Sequence, residues 1–175
     1  MEYERKATLK NKQKVMEYIK SKGFAASKHS HQIDTYFSKP NREDFIDKYL
    51  RIRQDLINKK NSIDYHIVRS DTATEEFESD IDNAEVLIHI LKGIGMELLC
   101  IVDKDRNTFR KDNILIVIDH VKDLGDFIEI EVDADNEADA EKIIYGIFTE
   151  LEINSDDIIS GKGYPDLLLD KIEQD

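Results

Sequence analysis

The stretch "MEYERKATLK", residues 1–10, places Glu2, Glu4 and Lys6 at alternate positions. Successive side chains of a β-strand point to opposite faces, so these three share one face while Tyr3, Arg5 and Ala7 share the other. Two acids and a base in a row describe either a solvated edge strand or a face that gathers charge for a purpose. The rest of the chain decides between these readings.

The same alternation recurs along the sequence. "KYLRIRQD" sets Tyr49, Arg51 and Arg53 against Leu50 and Ile52. Glu76/Glu78 and Lys104/Arg106 repeat the spacing, and in "DFIEIEV" Glu129 and Glu131 oppose Ile128, Ile130 and Val132. In an ordinary half-exposed sheet the charged face meets water and the apolar face meets a core, which explains any one of these strands. It explains five less well. Helices expected at 9–22, 83–95 and 138–151 carry apolar stripes that must cover the apolar faces. The charged faces then gather on the other side, and if the sheet curls they line the lumen of a barrel. Carboxylates at that density recruit hard cations such as Mg²⁺ or Mn²⁺. Arginine and lysine at that density recruit phosphate, arginine with a bidentate fork. A metal–nucleoside triphosphate or metal–tripolyphosphate satisfies both halves.

Composition narrows the partners. The 175 residues suit one domain, residues 1–175, with 40% hydrophobic and 36% charged residues. Lysine plus arginine is 25 and aspartate plus glutamate 38, a formal net charge of −13. So acidic a chain argues against sequence-independent binding to nucleic acid or anionic lipid, both of which need a cationic footprint. The single cysteine, Cys100, lies in the apolar run "ELLCIV", which predicts a buried, inert thiol. No apolar leader or membrane-length segment is seen, so the expectation is a soluble, cytoplasmic protein.

Along the chain, "LKNKQKVMEYIKSK" reads as a helix stopped by Gly23. "SKHSHQIDTYFSKP" reads as a loop leading into a strand near Gln32–Phe37. "SIDYHIVR" and "TEEFESDI" read as strands joined by a short polar turn, and "KDLGD" as a hairpin turn. Asn136 or Asp135 caps the third helix. The tail should hold two short helical pieces broken at Gly161–Pro165. Strands linked by hairpins with interspersed helices predict an α+β class, an antiparallel, closed or nearly closed β-barrel with flanking helices.

The residues resemble a known family. Glu2-x-Glu4-x-Lys6 resembles the ExExK signature of the CYTH superfamily, whose members build a triphosphate tunnel from an antiparallel β-barrel. "QIDTYF", "YLRIR", "VDKDR", "IDHVKDLGDFIEIEV" and "GYPDLL" follow in the order of the CyaB branch, the class IV adenylyl cyclases. The resemblance spans essentially the whole chain. It implies that Glu2, Glu4, Glu129 and Glu131 help hold Mg or Mn, with Asp119 as a further metal ligand or an orienter of a cation. It implies that Lys6, Arg51, Arg53, Lys104 and Arg106 grip phosphate, with Lys6, Arg53 and, at the place of a family lysine, His66 in the catalytic set. Glu76 and Glu78 match a paired-acid strand whose preceding family arginine stands here as Thr74, and Tyr164 with the last helix closes one end. A homodimer is a further implication.

One departure bears on catalysis. Family members usually carry a lysine in the strand after the paired arginines, where this chain has Asp64-Tyr65-His66. His66 in that place is a titratable imidazole instead of a fixed cation, or else a packed or solvated histidine. His29, His31, His89 and His120 have no metal-ligand spacing. The branch implies conversion of ATP to cyclic AMP and pyrophosphate. Tripolyphosphatase or thiamine triphosphatase activity is one alternative, and a non-catalytic nucleotide or polyphosphate binder is another. A plain acidic scaffold with solvated charged strands is the least specific reading.

Overall fold

In a computed structural model, residues 1–39, 48–70 and 73–174 are described. The elements are β1 (Glu2–Thr8), α1 (Lys12–Lys22), β2 (Ala25–Ser38), β3 (Lys48–Asp55), β4 (Lys60–Ser70), β5 (Ala73–Asp80) and α2 (Ala84–Gly93). Then follow β6 (Glu97–Lys111), β7 (Ile114–Val121), β8 (Gly125–Asp133), α3 (Glu137–Glu150), β9 (Ile158–Ile159) and α4 (Tyr164–Gln174). The class is α+β, as expected. The hydrogen-bonded strand order is β5-β4-β3-β2-β6-β7-β8-β1-β9. With β5 and β9 at the ends of that order, the sheet is not fully closed among the described residues.

The chain forms two compact units, residues 1–29 with 105–160 and residues 30–104 with 161–175. In the first, β8 is flanked by β1 and β7, both antiparallel. Glu4 pairs with Glu131 and Lys6 with Glu129, so these four side chains share a face. The other face presents Ala7, Ile116, Ile118, Ile128, Ile130 and Val132, all essentially inaccessible, to Val15 and Ile19 of α1 and Ala140, Ile144 and Phe148 of α3. Asn11 caps α1 by accepting from the Lys14 N–H, and Gly23 ends it at φ 77°, a left-handed conformation that glycine adopts without steric cost. Asn136, one of the two expected caps, accepts from the Asp139 N–H at the start of α3. Arg5, on the face of β1 opposite the charged row, meets α3, its Nη2 lying 3.1 Å from Glu137 and 2.6 Å from Glu141.

In the second unit, β2, β3, β4 and β5 pair antiparallel in succession. Their registers put Asp34 opposite Arg53, Arg51 opposite Asp64, and His66 opposite Glu76. Phe37 and Ile52 on the opposite face pack against Ala84 and Leu91 of α2.

Two expectations are corrected. Instead of a loop before Gln32, β2 already starts at Ala25. Its polar first half is held by side chains on β6: Ser27 Oγ donates to the Thr108 carbonyl at 3.1 Å, and His29 Nε2 lies 2.9 Å from Asp105. Those partners lie some 80 positions away, beyond any local sequence signal. The tail holds two helical pieces, as expected, a 3-10 helix at Ser155–Asp157 and α4, with the strand β9 beside Lys6 and Ala7 between them, but Pro165 is not part of the break. Pro165 stands in the first turn of α4, where a missing N–H costs nothing, so it starts that helix instead of breaking it. The polar turn expected between β4 and β5 lies outside the described residues, as does the side chain of Thr74. No helix among the described residues is long and apolar enough to cross a membrane. Cys100 is buried and free, and burial, followed by the charge of Asp166, pushes its thiol up to about 12.

Candidate functional site

Charged side chains gather in each unit on the sheet face opposite the apolar one, which α1 and α3 cover in the first unit and α2 in the second. In the first unit, Glu4, Glu129 and Glu131 offer carboxylate oxygens that all lie within 4.8 Å of one another. The clustering follows from period-2 geometry, because adjacent antiparallel strands bring i and i+2 of one face together. Lys6 Nζ is 3.1 Å from Glu129 Oε1. Arg106 clamps Asp119 with both arms of its fork, Nε to Oδ1 at 2.8 Å and Nη2 to Oδ2 at 2.5 Å, and its Nη2 also reaches Glu129 Oε2 at 2.6 Å. Asp119 is fully buried, and its carboxylate faces this guanidinium rather than joining the three glutamates. Glu2 is exposed and pairs in register with Asp133; it stands beside the trio without being part of it.

The trio is short of positive charge. Burial, then the charges of Glu4 and Glu129, pushes the Glu131 carboxyl up to about 7. Glu4 is exposed as a residue, yet its carboxyl is raised as well, first by desolvation and then by Glu129. Three crowded oxygen donors fit a hard divalent cation of the Mg²⁺ or Mn²⁺ type, which would relieve both shifts.

In the second unit the organising residue is Asp34. Arg53 donates to it bidentately, Nε to Oδ1 and Nη2 to Oδ2, each at 2.7 Å, and Lys104 Nζ donates to Oδ2 at 2.9 Å. Burial alone would raise this carboxyl, but Lys104 and then Arg53 outweigh it and hold Asp34 well below the usual carboxylate range. Lys104 Nζ also stands 5.4 Å over the ring of Tyr164, the first residue of α4. Arg51 Nε donates to Asp64 Oδ2 at 2.9 Å and its Nη2 to Glu76 Oε1 at 3.2 Å. His66 is buried, its ring stacked on Tyr49 with centroids 4.6 Å apart, and burial followed by Arg51 pushes it down to about 4. A neutral imidazole thus stands among these strands.

The first unit therefore brings together Lys6, Arg106, Glu4, Asp119, Glu129 and Glu131, with Glu2 beside them. The second brings together Arg51, Arg53, Lys104 and His66. Sequence reasoning passed over Asp34, which fixes two of the expected phosphate-binding cations. Its signals were its place in "QIDTYF", a block of the family resemblance, and an acid in the alternating run Gln32-Ile33-Asp34-Thr35-Tyr36, on the row that also holds Tyr36.

The CYTH domain family profile matches residues 1–160, which hold all of the described strands and both charged clusters. The chain belongs to the CYTH domain family. A Methanocaldococcus jannaschii protein with a provisional adenylate cyclase name is 32% identical over 177 residues, covering 95% of this chain and 98% of that relative. Among solved structures, a Pyrococcus horikoshii OT3 protein superposes with a TM-score of 0.82 at 27% identity, covering 95% of this CYTH chain and 99% of the other. A Hippeastrum protein, provisionally an adenylyl cyclase and described as having a dominant triphosphatase activity, shares the fold with a TM-score of 0.66. At 18% identity, with 87% and 89% of the chains covered, its likeness to this CYTH domain is one of fold.

Proposed function

We propose that this CYTH domain is a metal-dependent enzyme of triphosphate substrates, and that its reaction is the conversion of ATP to cyclic AMP and pyrophosphate. The observation that carries the proposal is the carboxylate trio Glu4, Glu129 and Glu131 on the same strand face as Lys6, with Arg106 against Glu129. Acids for a cation and bases for phosphate on one face suit a ligand that brings both charges.

Glu4, Glu129 and Glu131 would hold Mg²⁺ or Mn²⁺, with Glu2 adding negative potential. When bound, such an ion neutralises phosphate charge and lowers the pKa of a coordinated hydroxyl. Lys6, Arg51, Arg53, Lys104 and Arg106 bind and orient the phosphate oxygens, and the fixed forks of Arg53 and Arg106 are pre-positioned by Asp34 and Asp119. In the cyclase reaction the ribose 3′-oxygen bonds to the α-phosphorus as its proton passes to solvent water. The α–β bridging bond breaks, and pyrophosphate departs with its charge countered by cationic side chains. His66, neutral near physiological pH, adds no positive charge to this set.

The adenylate cyclase name of the archaeal relative favours this reaction. Hydrolysis of tripolyphosphate or thiamine triphosphate is the second reading, favoured by the triphosphatase activity described for the Hippeastrum protein. The test is phosphorus NMR of the protein with Mg²⁺ or Mn²⁺ and, in separate samples, ATP or tripolyphosphate. Cyclic AMP with pyrophosphate from ATP is the expected result. Orthophosphate from tripolyphosphate, with no cyclic nucleotide from ATP, would replace the cyclase with the hydrolase.

A further inference from the structure

A second group of potential ligands lies in the other unit, apart from the glutamate trio. Asp64, His66 and Glu76 offer ligand atoms that all lie within 4.8 Å of one another. They come from adjacent strands: Asp64 and His66 are one pleat apart on β4, and Glu76 is the register partner of His66 on β5. Unlike the trio, this group has an imidazole nitrogen.

A separate observation points to a missing ligand. Asp64 is fully buried and His66 is 6% exposed, and Asp64 Oδ1 and His66 Nε2 are both inaccessible without a hydrogen-bond partner. Leaving a buried polar atom unsatisfied costs about 1–3 kcal/mol, so two such atoms in one group of three potential ligands call for a partner. His66 Nε2 is only 3.2 Å from Glu76 Oε1, but the pair lacks hydrogen-bond geometry. That separation matches the edge of a tetrahedron around an ion roughly 2.0 Å from each donor, about 3.3 Å. Arg51 donates to Asp64 Oδ2 at 2.9 Å and to Glu76 Oε1 at 3.2 Å, yet Asp64 Oδ1 and His66 Nε2 still lack a hydrogen-bond partner. Stacking on Tyr49, at an interplanar angle of 16°, fixes the plane of the imidazole.

We propose that Asp64, His66 and Glu76 form a second metal site, selective for a borderline transition-metal ion such as Zn²⁺ or Co²⁺ over Mg²⁺. Imidazole favours zinc and its neighbours, whereas a site made only of carboxylates favours magnesium and manganese. Three protein donors leave one coordination position open, as in zinc sites that take an exogenous oxygen. The remaining histidines differ. Those at 29, 31 and 120 each face one aspartate at 2.8–2.9 Å and are at least two-fifths exposed in their side chains, so none combines burial with three converging donors.

The proposal is independent of the reaction assigned above, and its test needs no turnover. The full chain carrying Glu4→Gln, which disables the glutamate trio, is titrated with Co²⁺ while the visible d–d absorption of the ion is followed. Bound, low-symmetry cobalt is expected. Adding His66→Asn should weaken the affinity at least about tenfold, a 1.4 kcal/mol change. His66→Lys, which supplies charge without ligation, should abolish the absorption while far-ultraviolet circular dichroism stays unchanged. In the unmutated protein, nitrogen-15 NMR should show the His66 Nε2 resonance moving on addition of Zn²⁺ and not on addition of Mg²⁺. The proposal is overturned by a His66 Nε2 resonance indifferent to saturating Zn²⁺. Equal Co²⁺ affinity with and without the imidazole would overturn it as well.

Discussion

Asp34 shows how one buried acid arranges a cationic cluster. Its carboxylate has no measurable exposure and takes two hydrogen bonds from Arg53 and one from Lys104. Breaking a buried pair by removing one partner leaves uncompensated charge, at about 3–5 kcal/mol. Asp34→Asn should therefore lower the unfolding free energy by about 3 kcal/mol at pH 7, measured by urea denaturation. The pH dependence has a definite sign. A carboxyl held below its ordinary value contributes fully above that value, 3.8, and loses the contribution as the pH falls further. The gap between wild type and Asp34→Asn should thus be constant from pH 7 to pH 5 and narrow below 3.8. A gap that stayed constant down to pH 2.5 would contradict the assignment. The sequence exposed the cations of this cluster through their alternation, but not Asp34. Its role depends on β2 pairing with β3 in one register, and register is set by long-range pairing.

Among the elements, β8 bears on everything in the first unit. Ile128, Ile130 and Val132 fill the helix-covered core, while Glu129 and Glu131 furnish two of three acidic donors on the opposite face. A one-residue slip against β1 would exchange these faces, so the buried isoleucines enforce the register that aligns Glu4 with Glu131. Ile130→Ala should cost about 2–5 kcal/mol by leaving a cavity among residues with no exposure. Gly125→Ala, at the start of the same strand, tests a different force. An added Cβ would meet nothing within 4 Å, but the backbone sits at φ 103°. Strain alone should cost about 1–2 kcal/mol, with the hairpin retained. Equal losses in the two variants, measured by chemical denaturation, would mean that packing does not dominate β8. Its alternation was fully legible in "DFIEIEV", because both faces are fixed by local period. In the first half of β2, Ser27, His29 and His31 gave no apolar alternation to read.

Across the whole molecule the excess of acids, 38 against 25 bases, makes the proposed cation binding a matter of stability as well as of the proposed catalysis. The raised Glu4 and Glu131 carboxyls mean that the folded protein pays an electrostatic cost for ionising them, and a bound divalent ion offsets that cost. At about a hundredfold excess over its dissociation constant, a ligand specific for the native state adds about 2.7 kcal/mol. For a chain of this size that shifts the melting midpoint by roughly 5–10 °C. Mn²⁺ or Mg²⁺ should give such a rise at pH 8, whereas NaCl of matched ionic strength should give only the small part due to screening. The sign with pH follows from Glu131. Its proton is held up to about pH 7, and the ion must displace it, so the rise should shrink as pH falls from 8 to 6. Glu4→Gln removes one of the three donors and should abolish most of the rise at every pH, while its own midpoint without metal should equal or exceed that of the wild type. A Glu4→Gln protein stabilised by Mn²⁺ as strongly as the wild type would place the ion elsewhere and remove Glu4 from the metal set.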